Sequence, residues 1–438
     1  MEKKIRLSQC MIVKNEEKNI SRALTWGKNI VCEQIVVDTG STDRTVEIAK
    51  EMGAKVFDFL WIDDFSAAKN YAIDKATGDW IAFLDADEYL LEKDAQKISN
   101  ILMQLEDADP KLKPHILRTS LVDLKEDGQT NGVTVQDRFF QNIPRLRYQN
   151  RIHEMITTTS GRLIVCDLTK EISIFHTGYT DKVYKETQKI DRNIRMLRKE
   201  VEENPKNYDA VAYLAESLKL TNDSDEAEML YRDILKNGRD LVNHARLINT
   251  YYGLMHVLVV RNQSAEEKEF FQLYDEAVKC DPFFPDYDYF MGVWYFRNAC
   301  FEETIIFLER CLKKLNEYAG VNATHVPDVL ADIYTALVRA YIETSQQQQA
   351  VRYCVLVLRL DRYQEVIINT LIDLLKQDNQ SVDAATAIVG FLKKIYDHNS
   401  LKDRLFLIRA ARKTGFKSLE DVLIDGMTAD EKKWFFNK

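Results

Sequence analysis

The sequence lacks what a disulfide-stapled, zinc-bound or membrane-spanning protein needs. Its seven cysteines, at 10, 32, 166, 280, 300, 311 and 354, form no CxxC pair and no His/Cys metal spacing, and their number is odd. Reduced structural thiols are the expectation. No stretch approaches the ~18 apolar residues of a membrane helix. The first residues, MEKKIRLSQCMIVKNEE, hold only a short apolar run before charge returns, too short for the core of a secretory signal. A cytoplasmic chain with no membrane partner is expected. Charge is not dominated by one sign: 60 Lys and Arg face 69 Asp and Glu, a formal net charge of −9, which calls for no nucleic-acid partner.

What is present is ample apolar material on a long chain. The 438 residues exceed one ordinary domain, and 45% hydrophobic with 10% aromatic residues is enough to bury real cores. Residues 9–14 and 34–38 are short apolar runs that end in polar residues and lead into helical spacing. IVVDTGSTDRTVEIAKEMGAKVFDF (35–59) reads as strand, turn, helix, glycine stop and strand, and DDFSAAKNYAIDKATGDWIAFLDADEYL (63–90) repeats the helix, turn and strand. This βαβ patterning predicts a Rossmann-like, mostly parallel α/β sheet. Such sheets bind ligands beyond the carboxyl ends of their strands, where Asn15, Glu16, Asp38, Asp85 and Asp87 fall.

From about residue 180 glycines thin out and amphipathic helices with short joints take over. Leu214, Ala215, Leu218, Ala227 and Tyr231 form one unit, Met291, Gly292, Tyr295 and Leu308 a second, and Tyr334, Leu337, Tyr341 and Ala350 a third. The pattern resembles the tetratricopeptide repeat, whose stacked helix pairs form a solenoid with a concave face. Expected domains are 1–182 (α/β) and 183–438 (all-α). A homodimer through the tail is the expectation for unpaired terminal repeats. The ring-rich stretch DPFFPDYDYFMGVWYF (281–296) is a candidate acceptor surface, most of its rings being core.

The strongest chemical signal is LDADE (84–88) directly after the strand WIAF. Two carboxylates two residues apart at a strand end can turn toward one hard cation, Mg²⁺ or Mn²⁺. His176, after a β-rich stretch, is a candidate further metal ligand with Asp87.

Taken together and in order, MIVKNEEKNISRAL, IVVDTGSTDRTVEIA and DDFSAAKNYAIDKATGDWIAFLDADE resemble the inverting family-two glycosyltransferases of the GT-A fold. The resemblance implies that Asn15, Glu16, Asp38 and Ser41 hold the nucleotide, and that Lys69 and Asn70 lie near its base or diphosphate. It also implies that Asp85 faces the ribose and Asp87 the metal. In RFFQNIPRLRYQNRIHEMI (138–156) it makes Glu154 the candidate general base, with His153 as substitute. Arg138, Arg145, Arg147 and Arg151 crowd this segment; Arg145 is the candidate nucleotide-sugar contact among them, and which arginine meets the diphosphate stays open. The QxxRW motif common in the family is not visible.

A GT-A domain followed by a tetratricopeptide-like tail, with DADE, IHE and HTGY (176–179), is similar to the bacteriocin S-glycosyltransferases. That implies transfer of a hexose from a UDP-sugar to a Cys, or a Ser or Thr, of a precursor peptide. Lipopolysaccharide-core glucosyltransferases share much of the N-terminal text, so a glycan acceptor stays open. A peptide-binding scaffold without catalysis is the rival of another class, and the set Asp85, Asp87, Glu154 and His176 argues against it.

Overall fold

The computed structural model describes residues 5–106, 108–109, 111–125, 127–177, 182–221, 224–320, 322–376 and 379–436, the side chains of 182–188 and 436 excepted. Gly178 and Tyr179 of the HTGY motif lie outside the described residues. The chain divides into two compact units, Met1–Ser217 and Leu218–Lys438. The α/β-to-helix change expected at 182/183 is a change of secondary structure, whereas this division of contacts falls further along the chain.

The first unit is built on β1 (Leu7–Val13), β2 (Glu33–Asp38), β3 (Lys55–Asp58), β4 (Trp80–Phe83), β5 (Glu88–Leu90), β6 (Ile116–Leu124), β7 (Thr130–Gln141), β8 (Leu146–Gln149), β9 (Met155–Thr158), β10 (Val165–Asp167) and β11 (Ser173–His176). Nine of these strands form one sheet in the order β3-β2-β1-β4-β7-β6-β11-β5, with β10 on β6, and β8 pairs with β9 separately. Pairing is parallel from β3 to β4 and between β6 and both β10 and β11. It is antiparallel where β7 enters between β4 and β6, and where β5 closes the edge. A mostly parallel α/β sheet of the GT-A kind is therefore present.

The central strands read as continuous apolar text because both faces are covered, and β4, WIAF, is buried at every residue. Helix α1 (Ile20–Thr25), α2 (Thr45–Glu51), α3 (Phe65–Lys75) and α4 (Glu92–Gln104) connect the strands. Asp64 caps α3 by accepting a hydrogen bond from the Ala67 amide at 2.8 Å. The helix buries Ala68, Ala72 and Ile73 together with Lys69, so small residues bring it close to the sheet and carry one lysine inward. Two further helices, α5 (Lys182–Glu203) and α6 (Tyr208–Lys219), follow β11.

The second unit is all-α, and no helix among the described residues is long and apolar enough to cross a membrane. Two of the three expected pairs lie within this unit: Pro285–Arg297 with Phe301–Glu317, and Leu330–Glu343 with Gln347–Leu360. Gly292 faces Leu308, and Gly253 of the helix His244–Arg261 faces the buried ring of Tyr231. Of the rings in 281–296, Phe284, Tyr287, Phe290 and Trp294 are buried, and Phe283 is exposed. The candidate acceptor surface is thus largely interhelical core, because this helix packs against several neighbouring helices.

The approach at Gly253 sets a test. A Cβ there would stand 2.2 to 2.6 Å from ring atoms of Tyr231. Helix propensity favours alanine by about 1 kcal/mol, but overpacking against a fixed ring costs about 1–3 kcal/mol. Gly253→Ala should therefore lower the denaturation midpoint, and a raised midpoint would show that the ring moves freely.

Candidate active site

Four strand ends and one hairpin loop converge on the site. At the ends of β1 and β2, the Asp38 carboxylate accepts from the amides of Gly40 (3.1 Å) and Ser41 (3.0 Å). Gly40 takes a φ of 107°, which an L side chain rarely adopts. The Asn15 amide donates to Ser41 Oγ at 2.9 Å, and Asn15 Oδ1 accepts from the Thr42 amide at 2.7 Å. Glu16 donates its amide to Thr45 Oγ1 at 2.7 Å. The sequence-predicted residues Asn15, Asp38 and Ser41 thus tie two loops together, and Glu16 beside them lines a cleft of about 400 Å³.

LDADE leaves β4 as a tight turn, in which the Glu88 amide donates to the Asp85 carbonyl and the Asp85 amide to Glu88 Oε2, both at 3.0 Å. Lys69, only 2% exposed, places Nζ 2.7 Å from Glu154 Oε1 and 3.4 Å from Asp85 Oδ1. Its ammonium also lies 5.1 Å from the ring centres of both Phe83 and Tyr148. Arg138 reaches Asp85 at 2.8 Å and the buried Glu88 at 2.5 Å. Burial by itself would discharge Lys69, but the carboxylates of Asp85 and Glu154 outweigh it and raise its pKa. Against the same burial, Arg138 and Lys69 hold Asp85 well below the usual carboxylate range. Burial, with Asp85 alongside, pushes Glu88 up.

Asp87 points elsewhere. Its Oδ2 lies 3.1 Å from Nε2 of His176, and Nδ1 of His176 is 2.7 Å from Asp123 Oδ1. The register explains the meeting: on β11, His176 stands opposite Asp123 of β6 on one side and Glu88 of β5 on the other. The Asp87 hydrogen bond, opposed by burial and aided by Asp123, raises His176 to about 9. Among the described residues no group of three or more His, Cys, Asp or Glu side chains has metal-holding spacing, so Asp87 and His176 stand as a pair.

Glu154 is presented by a strained loop. Asn150 and His153 take φ of 72° and 52°, and the Arg151 carbonyl accepts from the Phe65 amide at 2.8 Å. His153 stacks on Tyr213 with ring centres 3.7 Å apart, its face occupied by that ring. Glu154, Lys69, Asp85, Asp87 and His176 all line the cleft.

Of the sequence-predicted residues, Asn15, Asp38, Ser41, His153, Asn70 and Arg145 are not in the cleft lining, and the last two are engaged elsewhere. Asn70 exchanges two hydrogen bonds, each 2.9 Å, with the backbone of Tyr148, pinning β8 to α3. Arg145 contacts His115 and donates to the Ser160 carbonyl at 3.1 Å, away from the cleft lining. Besides Lys69, the cations that line it are Lys14, Lys189 and Arg192, the last with its guanidinium 5.2 Å from the Phe65 ring centre. Lys14 lies within the motif that carries Asn15. Lys189 and Arg192 lie on α5, where no motif marks them. Asp123 has no sequence signal either, since only strand pairing brings it to His176.

The buried charges generate a stability test. Removing one partner of a buried ion pair costs about 3–5 kcal/mol, because the others stay desolvated without it. Lys69→Met keeps the length of the side chain and removes its charge, and should lower unfolding free energy by that amount in a denaturant titration. An unchanged midpoint would mean that the carboxylates are held by other groups.

The geometry agrees with what the chain is similar to. A family model described as glycosyl transferase family 2 matches residues 8–109. A TPR repeat-containing protein of Synechococcus elongatus is 32% identical over 274 residues, 59% of this chain and 65% of that one. The SPbeta prophage-derived glycosyltransferase SunS of Bacillus subtilis is 26% identical over 293 residues, 66% of this chain and 65% of that one. The chain thus spans about two thirds of the length of either relative. Staphylococcus aureus TarS 1–349 in complex with UDP-GlcNAc has a TM-score of 0.33 and 12% identity, over 72% of this chain and 92% of that one. Residues 8–109 of this chain, carrying β1 to β4 and the LDADE turn, are a glycosyl transferase family 2 domain.

Proposed function

We propose that the protein is an inverting glycosyltransferase that moves a hexose from a UDP-sugar to a cysteine thiol of a peptide. One observation carries the reading: a carboxylate in a base's position, Glu154, and the Asp87–His176 pair face one cleft at the carboxyl ends of the strands of a family 2 domain. The relatives support glycosyl transfer by a chain with a helical-repeat part, since SunS bears the name of a glycosyltransferase and another relative is named for TPR repeats.

In the reaction, Glu154 takes the thiol proton as sulfur attacks the anomeric carbon. The S–C bond forms, the bond from that carbon to the diphosphate oxygen breaks, and the electron pair leaves on UDP. A thiol, with an ordinary pKa near 8.5, asks less of a carboxylate base than a hydroxyl does. Lys69 fixes Glu154 through its 2.7 Å contact and is itself fixed by Asp85 and the two rings. Lys14, Lys189 and Arg192 supply positive charge along the cleft for the diphosphate.

The donor set fits Mg²⁺ or Mn²⁺. With Nδ1 of His176 turned to Asp123, Nε2 is directed at Asp87, the orientation that a carboxylate partner gives a ligating imidazole. Asp87 and His176 would hold the ion, and Asp85 is taken up by Lys69 and Arg138. When bound, the ion would stabilise negative charge on the departing diphosphate.

Asp87→Ala should abolish UDP release from UDP-glucose or UDP-GlcNAc in the presence of Mn²⁺ and peptide, with an unchanged circular dichroism spectrum. Full activity in the variant, or in wild type with EDTA, would remove the metal assignment. Glu154→Gln should lower turnover by roughly 10² or more, the scale of a lost general base, while calorimetric UDP-sugar affinity stays within a few fold. If His153→Ala is crippled and Glu154→Gln is not, the base is His153.

A further inference from the structure

Glu154 lines a second cavity as well. It measures about 330 Å³ and is bounded by β7 at Val135–Arg138, by Tyr148, and by Glu154, Met155 and Ile156. Nothing in the donor reading uses it. Its β7 wall is a strand edge. On this side β4 pairs only with Phe139, Phe140 and Gln141, and among the described residues no strand pairs with Val133–Arg138 there.

The direction of the backbone groups follows from the register. Ser120 of β6 donates its amide to the Ile172 carbonyl at 3.2 Å, hence away from β7. Ser120 stands opposite Val135, so this is a pair without mutual hydrogen bonds, and Val135 turns its own N–H and C=O away from β6. Val133, two residues earlier, does the same. A register shift between Leu117 and Thr119 then leaves Asp137 and Arg138 as a bulge, which aims Arg138 at Asp85 and Glu88. The open edge therefore ends where the charge network begins. Its side chains are apolar and exposed: Val133 at 59%, Val135 at 53% and, on the facing wall, Met155 at 62%.

We infer that an extended segment of the acceptor polypeptide adds to β7 as a further strand along Val133–Val135, delivering its reactive side chain to Glu154 through this cavity. Backbone hydrogen bonds supply affinity that is indifferent to most of the acceptor's sequence, while the valines and Met155 take alternate side chains. Cavity, unpaired edge and base are continuous, so the acceptor approaches Glu154 by a route other than the donor cleft. The inference rests on the reading of Glu154 as the base for a peptide acceptor.

The test uses the full chain, UDP-glucose or UDP-GlcNAc, Mn²⁺, and synthetic peptides with one central cysteine. A single backbone N-methyl group is moved residue by residue through the peptide. kcat/KM should fall about tenfold or more at every second position beside the cysteine and stay near the parent value between, since a strand offers alternate N–H groups to its neighbour. Val135→Pro, which removes one outward N–H at an edge, should raise the KM for the unmethylated peptide about tenfold and leave UDP-sugar affinity within about twofold. Val135→Thr, which keeps that N–H and alters only the side chain, should raise the KM far less than Val135→Pro does. A flat N-methyl profile on a peptide that is glycosylated overturns the added strand while sparing the peptide reading, and it decides the matter even if Val135→Pro fails to fold. Transfer to none of the peptides, with UDP released on a glycan acceptor, overturns the peptide reading and this inference with it.

Discussion

A lysine ammonium removed from water organises this site. Lys69 cannot remain charged at 2% exposure without anionic partners, and the partners it has, Asp85 and Glu154, come from a strand end and a hairpin loop far apart in the chain. The same requirement extends outward: Asp85 shared with Arg138 brings in Glu88, and the two rings beside Lys69 belong to β4 and β8. Five charges and two aromatic rings are thereby held in one arrangement. On the proposed function, in which Glu154 is the base, such fixing matters because misplacement of a reacting group is costly in rate.

Around that centre the carboxylates divide by partner. Asp85 and Glu88 face fixed cations, whereas Asp87 faces an imidazole oriented by Asp123. Three acidic residues in a run of four therefore meet different surroundings. The separation arises from the sheet, since β11 inserts between β6 and β5 and carries His176 into register with both. The loops after β1 and β2 use their polar side chains differently again, satisfying backbone amides that a turn leaves unpaired.

Much of the first unit was legible in the sequence. Alternating apolar runs and Gly or Asp turns marked β1 to β4, and WIAF followed by LDADE marked a strand end with paired carboxylates, because burial on both faces and a polar turn leave a strong one-dimensional signal. The helical half was legible as pairs for the same reason of periodicity. Its aromatic stretch was less so: ring content alone does not say whether a helix has neighbours on one side or two, and four of those rings proved buried.

Sequence alone determined that the N-terminal part is a mostly parallel α/β domain with polar residues at its strand ends, Asp85 and Asp87 among them, and that the rest is helical. Local periodicity and residue chemistry suffice for that. Only the tertiary structure decided which groups touch. Lys69 faces Glu154 because α3 packs its small residues on the sheet, and Asn70, one residue on and so about 100° round the helix, meets Tyr148 instead. Asp123 reaches His176 through strand register, and Lys189 and Arg192 reach the cleft on a helix with no motif of its own. These contacts join residues separated by tens of positions, and no local pattern records them.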